Sequence, residues 1–303
     1  MKEIMIEGYK DRKLTCYLYD EVENPKGVVV VVHGMQEHAL RYGEFAHFLN
    51  DSGYIMFSSD LRGHGKNMID NKPGFEDGDI YTNIVEDYKI FIAKLKKDYK
   101  SLPIIVFGHS FGSFITQRLL TECDNLVDKF ILCGSTYTNS FVFKMGKILA
   151  SLTKAFKGAE GSAKLVEACS IKGYGKKFPE GNWLSRDETI WESYKKDSLC
   201  GQSFPASFYY SFFKGAIKNY DKLALVDEST PILLICGDAD PVGGRAKAVK
   251  KLHKVYLKHW LNAELKIYAG ARHELLNETN KQEVMHDILN FIEADNKSAK
   301  NRK

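Results

Sequence analysis

Ser110 stands between two glycines in Gly108-His109-Ser110-Phe111-Gly112, directly after the apolar run 104–107 and before a helix-like stretch at 114–120. Strand, tight turn and helix in that order hold a serine on a sharp bend with its hydroxyl exposed, the arrangement of a nucleophile elbow. Glycine suits the flanking positions because a side chain there would collide with the neighbouring strand or helix. A serine hydroxyl attacks a carbonyl only when a base takes its proton, and that base needs a carboxylate to fix its tautomer and stabilise its charged form. The chain offers both further on. Gly237-Asp238-Ala239-Asp240 follows the apolar run 232–236, and Gly270-Ala271-Arg272-His273 follows 264–268. His273 is the expected base. Two aspartates compete for the acid: Asp238 has the position of a residue that ties down its own turn, whereas Asp240, farther out and followed by Pro241, is better placed to reach across. The oxyanion formed on attack needs two N–H donors. One is the backbone amide of Phe111; the other is expected from the loop after a valine-rich run, at Met35. The chemistry these groups could perform is acyl transfer through a covalent serine intermediate.

Such groups must be set on one edge of a sheet, and the surrounding pattern supplies it. Residues 3–8 and 13–19 alternate and predict an antiparallel hairpin. Residues 27–33, with five consecutive valines, have no polar face and predict a strand covered on both sides. A helix at 42–49, a strand at 54–59, a helix with Ile84, Tyr88, Phe91, Leu95 and Tyr99 on one face, the elbow strand and a strand at 129–133 follow. That β-α-β-α-β order predicts an α/β fold with a mostly parallel sheet flanked by helices. From 136 to 226 the periodicity turns helical, with Phe141, Met145, Ile148, Leu149, Leu152 and Phe156 on one face and an aromatic run, Phe204, Phe208, Tyr209, Phe212 and Phe213, beyond it. Alternation resumes with strands at 232–236 and 264–268 and helices near 246–259 and 281–294. The expected organisation is one discontinuous core of residues 1–135 and 227–296, a helical insertion of 136–226, and a basic tail of 297–303. The apolar face of 141–156 is expected to pack on the protein's own core, with a lipid surface as the alternative partner.

Composition narrows the classes. With 303 residues, 44% hydrophobic and 27% charged, the chain is an ordinary globular one, and a net charge of +4 is only weak evidence for a polyanionic partner, so nucleic acid is not expected. The six cysteines show no C-x-x-C spacing and are expected to be reduced thiols. No signal-peptide pattern and no run of 18 apolar residues is present, so a cytoplasmic location is expected. His33 and His38 have no sequence neighbours of metal-ligand spacing; neither a metal nor a cofactor is expected. Asp60, Arg62 and His64 are expected to brace the loop beside the elbow, and His253 and His259 to be solvated on a lysine-rich helix.

His33-Gly34-Met35-Gln36-Glu37-His38 with Arg41-Tyr42, Asp60-Leu61-Arg62-Gly63-His64-Gly65, the Gly108–Gly112 elbow, Gly237-Asp238-Ala239-Asp240 and His273 together resemble the monoacylglycerol lipase and lysophospholipase branch of the α/β-hydrolases, a serine aminopeptidase S33-like group. The resemblance spans nearly the whole chain. It implies Asp240 as the acid, Met35 and Phe111 as oxyanion donors, and a lid at 136–226 that could touch lipid surfaces. Asn182-Trp183-Leu184-Ser185-Arg186-Asp187 and the aromatic run resemble bacterial members of the branch. It also implies substrates such as monoacylglycerols, lysophospholipids or simpler acyl esters, with no cofactor. A peptidase or amidase of the same fold, and a ligand-binding receptor with a slow hydrolase site, are the alternatives.

Overall fold

The computed structural model describes residues 1–169, 171–176, 178 and 181–294; the basic tail lies outside them. Eight strands form one sheet: β1 (Lys2–Glu7), β2 (Lys13–Tyr19), β3 (Gly27–Val32), β4 (Tyr54–Ser59), β5 (Ile104–His109), β6 (Lys129–Cys133), β7 (Ile232–Gly237) and β8 (Ala263–Tyr268). Their order is β1-β2-β4-β3-β5-β6-β7-β8. The β1–β2 and β2–β4 pairs are antiparallel, and every pair from β4 onward is parallel. Every residue of β3, β4, β5, β6 and β7 is buried, as runs without a polar face require; at the edges β1 has no buried residue and β8 is mostly half-buried.

Helices α1 (Gly43–Asp51) and α10 (Lys281–Glu293) cover one face, and α2 (Ile80–Asp98), α3 (Phe111–Glu122) and α9 (Lys247–Lys258) the other. The valines of β3 divide between them by the two-residue period of a strand. Val28, Val30 and Val32 join Tyr88, Phe91, Ile115 and Leu119, whereas Val29 and Val31 join Phe45, Leu49, Met285 and Ile288. Asp79 caps α2 by accepting a hydrogen bond from the amide of Thr82, fixing where that helix begins. The expected helix face is right except at Tyr99, which ends α2 rather than extending it.

Between β6 and β7 the chain forms α4 (Phe141–Lys157), α5 (Lys164–Cys169), α6 (Ile171–Gly175), α7 (Glu188–Lys196) and α8 (Ala206–Ala216), with no sheet strand among the described residues. α4 lies on α8, where a Cβ on Gly146 would stand 2.6 Å from the Phe213 ring. The outer face of α4 departs from the expectation of core packing. Phe141 is 76%, Phe156 85%, and Ile148 and Leu152 each 51% exposed, because α4 has the insert on one side only. His253 and His259 are half-buried rather than solvated, and His253 Nε2 lies 3.0 Å from the carbonyl oxygen of Ala263. Cys16, Cys123, Cys133, Cys200 and Cys236 are free and buried. No helix among the described residues is long and apolar enough to cross a membrane.

One contact in this framework leaves no room. A Cβ on Gly112 would overlap the carbonyl oxygen of Val32 at the end of β3. Gly112→Ala should therefore lose on the order of 1–3 kcal/mol of stability or more, as overpacked cores do. Thermal unfolding followed by circular dichroism checks this, and an unchanged melting temperature would mean that β3 and α3 can separate freely.

Candidate active site

β3 is the strand at which the chain turns back: β4 is added on one side of it and β5 on the other. Ligands of open α/β sheets bind outside the carboxyl ends of the strands at such a switch. The loops after β3 and β5 meet there, and a Cβ on Gly34 would be 3.3 Å from Cβ of Ser110. Ser110 ends β5 and precedes α3 with φ 50° and ψ −117°, a conformation that side-chain-bearing residues rarely adopt. Its amide donates to the carbonyl of Cys133 at 2.9 Å, which anchors the bend to the next strand. A Cβ on Gly108 would overlap the Thr116 hydroxyl, so both glycines of the motif are required by contact.

His273 follows β8 and is buried; its Nδ1 lies 3.0 Å from Oδ2 of the fully buried Asp240. The other oxygen of Asp240 accepts from the amide of Val242 at 2.8 Å, which fixes the carboxylate plane. The Nε2 atom of His273 is buried without a hydrogen-bond partner. Asp238 is exposed and accepts instead from the amide of Gly270 at 2.7 Å, joining the turns after β7 and β8 rather than serving its own backbone. Ser110, His273, Met35 and Phe111 all line one cavity of about 790 Å³.

The braces expected beside the elbow are present. Asp60 accepts from the amides of Ala39 and Lys66, and Arg62 pairs with Asp87 and Glu76 in the interior. His33 Nε2 accepts from the amide of Leu61 at 2.9 Å, so its proton sits on Nδ1, 2.8 Å from the carbonyl of Gly34. Burial keeps this ring neutral, with its pKa lowered to about 4, and burial likewise lowers His64 to about 3. His64 stacks on the Phe111 ring at 6.1 Å. Its partners there are Phe204 and Phe208, which do not line the cavity; Tyr209, Phe212 and Phe213 do. The aromatic run thus divides into two roles.

A charged cluster under the loop after β3 was not apparent from the sequence. Glu37 is buried and accepts from the amide of Gly34 at 2.5 Å, the hydroxyl of Tyr42 at 2.9 Å and Arg41 at 2.5 Å. Arg41 also forms a bidentate pair with Glu274, at 2.8 and 2.7 Å. Burial opposes the Glu37 charge, but Arg41 and His109 overcome it and hold the carboxyl well below its usual range. The four-residue spacing of Glu37 and Arg41, and the placement of Glu274 beside His273, were the available signals. Among the described residues one group of metal-capable side chains gathers, His38, Asp197 and Cys200. There His38 Nε2 and Asp197 Oδ2 pair at 2.8 Å, tying the segment after α7 to the loop after β3.

Sheet, elbow and loop order define an α/β-hydrolase. The chain belongs to the family described as serine aminopeptidase, S33, whose profile matches residues 23–280, and within it to the monoacylglycerol lipase and lysophospholipase branch. It is 27% identical over 288 residues to the monoglyceride lipase homolog of Monkeypox virus, covering 91% of this chain and 93% of that one. It is 25% identical over 273 residues to the monoacylglycerol lipase of Mycolicibacterium smegmatis, covering 89% of each. Among solved structures it is similar to a highly thermostable carboxyl esterase from Bacillus coagulans in complex with glycerol, at 26% identity and a TM-score of 0.85 over 96% of this chain and 97% of the other.

Asp240→Asn should lower kcat by roughly 10⁴-fold, because an amide in place of the carboxylate favours the wrong imidazole tautomer. Asp238→Asn should leave kcat within a few-fold. Steady-state kinetics on the two variants decide the acid, and the reverse ranking would reject Asp240.

Proposed function

We propose that this carboxylic ester hydrolase cleaves acylglycerols, lysophospholipids or related acyl esters through an acyl-enzyme on Ser110. The observation that carries the reading is the buried His273–Asp240 pair, its free Nε2 and Ser110 opening on the same cavity. His273 takes the Ser110 proton as the hydroxyl attacks the ester carbonyl. The oxyanion is held by the amides of Met35 and Phe111, each donor worth roughly 10²- to 10³-fold in rate. The alcohol leaves with the proton from His273; a water activated by the same ring then releases the acid. None of these steps calls for a cofactor.

The cavity supports an acyl substrate. Phe143, Met145, Leu149, Phe212, Phe213 and Val242 contribute to its apolar walls. Among the described residues its two carboxylates, Glu37 and Glu274, are already paired with Arg41, which leaves neither of them free to bind the amino terminus of a peptide. The helical insertion acts as a lid over the site, and the exposed apolar stripe of α4 is its contact with lipid surfaces, where the substrate is concentrated.

The test is a rate profile over esters with acyl chains from two to sixteen carbons, a monoacylglycerol included, with Ser110→Ala as the blank. Turnover should rise with chain length and vanish in the blank; turnover confined to the shortest esters would reject the lipid reading. Phe212→Ala should shift the preferred chain length, whereas Phe208→Ala, off the cavity, should lower the melting temperature and leave the profile unchanged.

A further inference from the structure

We propose that His109, the residue before the nucleophile, is held as an imidazolium by Glu37, and that this buried cation keeps the oxyanion loop, the elbow and the histidine loop in register. The proposal rests on the hydrolase reading above.

The ring's partners lead to it. His109 Nδ1 lies 3.1 Å from Glu37 Oε1 and 3.0 Å from the Tyr42 oxygen, and Nε2 lies 3.3 Å from the carbonyl oxygen of His273. Tyr42 has one proton to give, and it goes to Glu37 at 2.9 Å. Each ring nitrogen therefore faces acceptors, and only a ring carrying both protons satisfies them. The cation bridges two loops: Nδ1–H reaches the carboxylate that also holds the Gly34 amide, and Nε2–H reaches the backbone of the proposed base.

Charge balance points the same way. The groups facing the ring are Glu37, Arg41, Tyr42 and neutral His33 from the loop after β3, and His273 and Glu274 from the loop after β8. Two carboxylates then meet two cations. Removing the His109 proton leaves one net negative charge buried beside the place where the oxyanion forms, which opposes the reaction. Burial pulls the His109 pKa down, but the hydrogen bond and charge of Glu37, with Glu274, outweigh it and the net shift is upward. A raised histidine pKa keeps the charge below that pKa, so its contribution is lost as pH rises through it. His109 is a positioning residue here, acting through Glu37 and His273.

The test is the pH dependence of kcat for wild type, His109→Gln and Glu37→Gln on a soluble ester, with Ser110→Ala as blank. Wild type should show an alkaline limb. His109→Gln should lose that limb and run up to about 10²-fold slower, as a displaced catalytic group does. Glu37→Gln should move the limb downward by about 1–3 pH units, the effect of removing a neighbouring opposite charge. A wild-type alkaline limb in His109→Gln would overturn the proposal and leave the hydrolase reading intact. Absence of Ser110-dependent turnover would instead count against that reading. Nitrogen-15 NMR of the histidine ring then decides the proposal alone: two protonated ring nitrogens at His109 at neutral pH support it, and a single neutral tautomer rejects it.

Discussion

The contact of α3 with the end of β3 sets the spacing of everything at the site. Val32 pairs with Gly108, and from there β5 turns at Ser110 into a helix whose Gly112 lies directly on the carbonyls of Val32 and His33. No side chain separates the two backbones. The distance between the loop carrying Met35 and the start of α3 carrying Phe111 is therefore a consequence of strand register, not of loop flexibility. The same closeness forces the positive φ of Ser110, a strain of roughly 1–3 kcal/mol that persists only where the surroundings over-determine it. The Cys133 carbonyl, the buried α3 and the packed glycines do so.

A second constraint lies beneath the first loop. Loops are seldom rigid by backbone bonds alone, and this one is fixed by charges taken out of water. Glu37, Arg41 and Glu274 are each nearly buried, and each buried ion costs several kcal/mol in lost hydration. Such a group is held only when every member is paired, so losing one partner strands another charge. Residues that satisfy this condition cannot drift independently. The pairs run from the loop after β3 to the loop after β8, which makes the position of His273 depend on Glu274 as well as on Asp240.

Much of this was legible in the sequence because it follows from one-dimensional signals. Unbroken valine and isoleucine runs mark strands covered on both faces, and glycines around Ser110 mark a turn too tight for side chains. Asp240 could be preferred over Asp238 on reach; in the fold Asp240 meets His273, whereas Asp238 holds the turn after β8 rather than its own backbone. The Glu37–Arg41–Glu274 cluster was hidden because Glu274 lies more than 230 residues from the other two members and meets them only through the fold. The outer face of α4 misled for a related reason. Helical periodicity reports that a face is apolar, not what covers it. The aromatic run likewise gave spacing without neighbours, so the roles of Phe208 and Phe212 could not be separated before the elbow was in view.

The division of the cavity follows from where its walls come from. The polar groups of its lining nearest Ser110, namely Glu37, His109, His273 and Glu274, sit with that serine at the carboxyl edge of the sheet, where hydrogen bonds fix them. Its apolar lining comes largely from α4 and α8, which are held by side-chain packing. An ester has the same two-part character, a polar carbonyl and alcohol joined to an apolar acyl chain. On the proposed function, the sheet edge carries the chemistry and the insertion sets which chain fits. Changes in α4 and α8 would then alter the acyl group accepted without touching the strand register at Ser110.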